Sequence, residues 1–156
     1  MKIVIDTNVL ISGLLFRSKN CKELINLVIK QDTLQCYVNN EILDEYNTKI
    51  AEKKDLKIAD FSNENKQLFQ NYLKKVILQP KHTSLSVCRD KKDDKFIECA
   101  VDNNCLFIVS GDKDLTDLNY YKKIKIVKVV DFLIEYQEIA KFKDNLLDID
   151  DKGFKL

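Results

Sequence analysis

The residues of this chain best placed to do chemistry are carboxylates that stand where apolar runs end. KIVI (2–5) reads as a buried strand and stops on Asp6. LFIV (106–109) reads as a second strand and leads through Ser110 and Gly111 to Asp112. Carboxylates at the ends of adjacent strands repel one another unless a proton or a cation lies between them. Hard divalent ions such as Mg²⁺ or Mn²⁺ match oxygen ligands of this kind, and Mg²⁺ keeps several waters, so a few acids are enough to hold it. Two further segments offer acids beside the same edge. In RDKKDDKFIECA, the inward-facing Phe96, Ile97 and Ala100 put Asp94 nearer the sheet than Asp93, with Glu98 one turn later. In NNEILDEYNTK, the apolar stripe Ile42, Leu43, Tyr46 and Ile50 leaves Glu45 at its border, Glu41 in the first turn and Asp44 facing water. A plainer reading stands beside each: Asp6 and Asp112 as helix N-caps, and the acids of helix first turns as complements to the helix dipole.

The elements that must position these acids alternate between strand-like and helix-like runs. After KIVI comes a helical stretch from Asn8 to about Phe16, then a helix capped by Ser18, a short strand LQCYV (34–38), and a helix capped by Asn39 or Asn40. A further helix runs from about Ser62 to Val76, VILQP (76–80) reads as a strand ended by Pro80, and a polar loop follows to Asp90. A helix from Asp93, the strand LFIV, a strand at 124–127 and a closing helix from about Val130 complete the pattern. Such alternation predicts a parallel sheet with helices on both faces. Ligands then gather outside the carboxyl ends of the central strands, KIVI and LFIV, which is where Asp6 and Asp112 fall. The domain is expected to span 1–140, with 141–156 as a C-terminal tail.

Composition bounds the alternatives. The chain has 156 residues, a third of them charged, with 26 Lys and Arg against 25 Asp and Glu, which fits one globular domain. A net charge of +1 excludes coating of nucleic acid by bulk charge but allows a local basic stripe. Between Lys74 and Lys95 seven cations (Lys74, Lys75, Lys81, Arg89, Lys91, Lys92 and Lys95) face three aspartates, and Arg89, Lys91, Lys92 and Lys95 are the candidate contacts to a phosphate backbone. Affinity through them would fall steeply with salt. The five cysteines form no C-x-x-C pair and sit among apolar neighbours, so they read as reduced core residues. The single histidine, His82, reads as a loop residue. With no apolar run of membrane-spanning length and no cleavage-site pattern, the expected compartment is the cytoplasm.

Four segments in order, IDTNVLIS, NEILDEY, DKKDDKFIECA and IVSGDKDL, together resemble the PIN-domain nucleases, in particular the branch that supplies the VapC-like toxins of bacterial toxin-antitoxin modules. The resemblance spans about 135 residues. It implies a three-layer α/β/α fold with a central, mainly parallel twisted sheet. It also implies an Mg²⁺- or Mn²⁺-dependent endoribonuclease whose acids are Asp6, Glu45, Asp94 and Asp112. Asn8 and Ser110 match supporting positions, and Asp114 is an additional acid at the rim. Asp93 and Glu41 are the alternates for Asp94 and Glu45, since a one-residue slip exchanges the adjacent aspartates. One or two ions held by these acids would lower the pKa of a bound water for in-line attack on phosphorus. The implied products are 5′-phosphate and 3′-hydroxyl ends of single-stranded RNA, and the implied protein partner is an antitoxin; apolar residues of the helices and of the tail FKDNLLDIDDKGF offer a surface for it or for a second copy of the chain.

Two other readings remain open from the residues. A phosphotransferase of haloacid-dehalogenase type also begins with a strand ending on Asp, but it requires a second Asp two positions later, where this chain has Asn8. A non-catalytic RNA- or partner-binding domain would carry the same four acids without using them. Dinucleotide binding is excluded, because the three glycines form no G-x-G-x-x-G element.

Overall fold

The computed structural model describes residues 1–55 and 61–151. Strands β1 (Lys2–Ile5), β2 (Gln35–Val38), β3 (Ile77–Leu78), β4 (Phe107–Val109), β5 (Tyr120–Tyr121) and β6 (Ile124–Val127) form one sheet in the order β3-β2-β1-β4-β6-β5. All neighbours pair in parallel except β5 with β6. Helices α1 (Thr7–Leu15), α2 (Lys19–Lys30), α3 (Asn40–Asp55), α4 (Asn63–Lys75), α5 (Asp94–Asp102), α6 (Lys113–Thr116) and α7 (Val129–Asp151) flank the sheet, giving the expected three layers. From β1 the chain winds outward through β2 to β3, then returns to β4 on the other side of β1. The winding therefore reverses between β1 and β4, which is the place in such sheets where ligand-binding crevices open.

Ile3, Val4 and Ile5 of β1 and Ile108 and Val109 of β4 are fully buried, as a strand covered on both faces requires. Their register pairs Ile5 with Val109, so the next residues out, Asp6 and Ser110, emerge side by side. A polar network lies beneath that edge. The Tyr46 hydroxyl of α3 donates to the Ile5 carbonyl at 2.6 Å, and Tyr46, Tyr72 and Cys36 are linked by contacts of 3.4 and 3.3 Å. Tyr46 thus anchors α3 to the end of β1 while filling the core.

Helix starts follow the expected caps. Ser18 and Ser62 accept from the amides of Cys21 and Asn65, and Asn39 accepts from Ile42 at 2.9 Å. All five cysteines are buried thiols, and burial pushes that of Cys36 up to about 12, which removes nucleophilic character at neutral pH. Among the described residues no helix is long and apolar enough to cross a membrane.

Two features differ from the sequence reading. The β5–β6 hairpin turns on Lys122 and Lys123, with Lys122 itself at a φ of 53°. The Asn-Gly or Asp-Gly signature that would have announced the turn is missing. The closing helix also continues through the segment read as a tail, reaching Asp151, because nothing between Lys141 and Asp151 breaks a helix; residues 152–156 lie outside the described residues.

Helices α1 and α2 cross closely at Gly13, where an added Cβ would stand 2.7 Å from Ile25 Cδ1 and 2.9 Å from the backbone carbonyl carbon of Cys21. Gly13→Ala is therefore expected to destabilise the fold by about 1–3 kcal/mol through overpacking, although alanine is the better helix former by roughly 1 kcal/mol. A urea midpoint equal to or above that of the wild type would contradict this close crossing.

Candidate metal centre

Asp6 begins the site. Its amide continues the sheet by donating to the Val109 carbonyl at 3.0 Å, and its carbonyl accepts from Val9 and Leu10 of α1. Oδ1 accepts from the Asn8 amide at 3.3 Å and Oδ2 from Ser110 Oγ at 2.6 Å. The capping role and the site role thus coincide in one side chain, which is only 4% exposed. Burial raises its pKa; the Ser110 and Asn8 hydrogen bonds act the other way, and the nearby charges of Asp112 and Glu45 raise it further. Asn8 contributes its backbone amide, while the residue itself is exposed. Thr7 is fully covered, and its hydroxyl finds no hydrogen-bond partner among the described residues.

Ser110 joins the two strand ends, because the oxygen that donates to Asp6 also accepts from the Asp112 amide at 3.0 Å. Asp112 caps α6, taking the Asp114 amide at 2.8 Å. Carboxylate oxygens of Asp93, Asp112 and Asp114 lie within 4.8 Å of one another. Asp93 ends the 3₁₀ turn Lys91–Asp93 that leads into α5. Its pKa is pushed up to about 6, first by desolvation and then by the charges of Asp112, Asp6 and Asp90, with Lys95 acting the other way. An all-oxygen donor set carrying surplus negative charge fits a hard divalent cation.

Asp94, expected from the sequence as a ligand, meets the loop before α5. Its Oδ1 accepts from the Val87 and Cys88 amides at 3.0 and 2.8 Å, and the residue is buried. Burial pushes its pKa up, but these amides together with Cys88 and Lys91 outweigh it, so the group settles below the usual carboxylate range. Asp94 thus gives one oxygen to the loop before α5, while a carboxylate oxygen of its neighbour Asp93 lies close to one of Asp112. The same loop is gripped twice more from α5: Glu98 takes the Leu85 amide at 2.9 Å, and Asp102 those of His82 and Thr83 at 2.8 and 3.2 Å. Acids at 94, 98 and 102 lie one above another on a helix. That spacing was available in the sequence, although its meaning depends on where the loop runs.

Lys95, expected from the sequence as a phosphate contact, is held inside the structure. It is 8% exposed, pairs with Glu45, and donates to the Lys92 carbonyl at 2.6 Å. Glu45 does reach the site edge, since its charge acts on Asp6, but it arrives already partnered. Glu41 is drawn off to Lys81 at 3.0 Å, and Lys81 also pairs with Glu98 at 2.7 Å. Lys91 and Lys92 are exposed beside Asp93. Arg89, its side chain 84% exposed, pairs with Asp114.

Comparison with known proteins agrees with this architecture. A family model described as PIN domain matches residues 2–114. An uncharacterised protein of Methanocaldococcus jannaschii is 30% identical over 146 residues, covering 88% of this chain and 93% of that protein. Among solved structures, VapBC2 from Rickettsia felis, bound to a DNA fragment from their promoter, aligns with a TM-score of 0.53 at 10% identity. The alignment covers 81% of this chain and 97% of that one.

The two adjacent aspartates should respond oppositely to removal of their charge. Because the folded pKa of Asp93 is raised above its unfolded value, its favourable contribution is present below about pH 4 and is lost as pH rises through about 6. Metal-free Asp93→Asn is accordingly expected to melt higher than the wild type at pH 7.5 and like it at pH 4. Asp94 has a lowered pKa, so its contribution is present at neutral pH and lost in acid. Asp94→Ala orphans two amides and should cost about 1–3 kcal/mol at neutral pH. Thermal melts in EDTA check both, and equal shifts of the same sign would show the assignments to be wrong.

Proposed function

Since the chain belongs to the PIN-domain family, we propose that it is a metal-dependent endoribonuclease that hydrolyses single-stranded RNA to 5′-phosphate and 3′-hydroxyl ends. The observation that carries this reading is the convergence of Asp93, Asp112 and Asp114 beside the buried Asp6 at the switch point of the sheet. Mg²⁺ or Mn²⁺ would be held by Asp93, Asp112 and Asp114, with Asp6 behind them. A bound ion supplies an activated water and a counter-charge for the leaving oxygen. Ser110 keeps Asp6 and the start of the Asp112 turn in fixed relation. Arg89, Lys91 and Lys92 border this group of acids and offer cations to the RNA phosphates, with Arg89 exchanging its present partner Asp114 for substrate.

The same reading makes the chain the toxin of a toxin-antitoxin pair acting in the cytoplasm, with an antitoxin or a second copy of itself as protein partner. The supporting observation is the shared fold with VapBC2 of Rickettsia felis. Apolar side chains exposed on α7, among them Phe142, Leu146 and Leu147, are the surface such a partner would cover. The phosphotransferase alternative loses support from Asn8, which lies on the exposed side of α1 and offers Asp6 only its amide.

Cleavage of end-labelled single-stranded RNA in Mn²⁺ and in EDTA tests the activity. Asp93→Asn is expected to lower the rate by more than the roughly 10–100-fold typical of groups that only support a metal ligand. Asp94→Asn, which keeps an acceptor for the loop amides, should retain most of the activity. Cleavage in EDTA, or loss of activity in Asp94→Asn with none in Asp93→Asn, would sink the reading. Arg89→Ala should raise KM and flatten its dependence on salt, since each lost phosphate contact reduces the slope of log affinity against log salt by about 0.7 for single strands.

A further inference from the structure

The Lys95–Glu45 pair stands against a centre otherwise made of acids. The Lys95 side chain is 9% exposed and that of Glu45 27%. Three contacts besides Glu45 hold Lys95 in place. Its ammonium donates to the Lys92 carbonyl at 2.6 Å and lies 4.9 Å from the centre of the Phe96 ring, and its own carbonyl accepts from Asn39 Nδ2 at 3.4 Å. Asn39 in turn caps α3, the helix that carries Glu45. The ammonium is thus built into the junction of α3 and α5 and cannot swing into solvent as a surface lysine does. Carboxylate oxygens of Asp93, two residues before Lys95, lie within 4.8 Å of those of Asp112 and Asp114, and the Lys95 charge acts on Asp93 as well, so the centre offers three clustered carboxylates beside a fourth, Glu45, that is already paired with a fixed cation.

We propose that the Lys95 ammonium is the resident second cation of the centre. It occupies the Glu45 end, so each chain takes one divalent ion, at the end formed by Asp93, Asp112 and Asp114. A second dication seated on Glu45 would sit against a fixed ammonium, and like charges at contact in a partly dry site repel strongly. Lys95 is on this account a positioning residue, and its charge sets the number of ions bound. The inference rests on the metal-dependent reading above and deepens it.

Counting bound Mn²⁺ separates the two claims. Equilibrium dialysis and calorimetry of the wild type should give one Mn²⁺ per chain, and the bound ion should show the sharp six-line electron paramagnetic resonance spectrum of an isolated ion. Lys95→Met, which keeps the buried stem and frees Glu45, should bind a second Mn²⁺ with broadening of that spectrum by the neighbouring ion, and Lys95→Arg should restore one. Two ions in the wild type would overturn the inference and leave the nuclease reading standing, whereas none would overturn both. A folded Lys95→Met that still binds one ion would also overturn it. Should Lys95→Met fail to fold, the wild-type count and spectrum decide alone.

Discussion

A carboxylate buried at the end of a strand is costly unless hydrogen bonds replace the water it loses, and at Asp6 the parallel pairing of β1 with β4 makes that replacement available. Because Ile5 is opposite Val109, Ser110 emerges where its hydroxyl can reach Asp6, and the same oxygen then fixes the turn to Asp112. A slip of one residue in this pairing would send Ser110 to the opposite face. Asp6 would then keep its helix amides and lose its link to the other strand end. The position of every acid on the β4 side therefore depends on one register.

Concentrated negative charge is the second constraint, and the fold handles it by giving most acids a donor of their own. Asp94, Glu98 and Asp102 are spent on loop amides, Glu45 on Lys95, and Asp114 on Arg89. Asp93 is the exception: it has no side-chain cap at the head of α5, and like charges on Asp112 and Asp6 press on it. Lys95 offsets this only in part, and a group so pressed by like charges in an otherwise well-paired structure is a mark of function more than of stability.

Much of the fold could be read in the residues. KIVI and LFIV announce central strands because both their faces are apolar, and the serine and asparagine caps announce the helix starts they precede. The β5–β6 hairpin could not be read, since Lys122 takes a left-handed conformation without the usual glycine or asparagine. At the site, Asp6 and Asp112 are legible because each directly ends or follows a strand. Asp93 and Asp94 are not distinguishable by helical phase: the helix begins between them, and a 3₁₀ turn ahead of it shifts the direction of its last side chain. The choice depends on a loop that approaches from outside and claims Asp94 through its backbone. The burial of Lys95 is illegible for a related reason, since it comes with a partner on a helix some fifty positions away in the chain.

That loop is gripped by α5 through its amides, while the side chains of Leu85, Val87 and Cys88 pack inward against the core. His82, Thr83, Leu85, Val87 and Cys88 all give backbone N–H groups to the α5 acids, and any residue other than proline can supply those. The side chains of His82, Ser84 and Ser86 project outward and are exposed, free of the grip. The segment leading to Arg89 can therefore change its surface chemistry through substitution without losing its course. Helix α5 acts as a mount on which differently lettered loops can be exchanged while the acids at its head stay where they are.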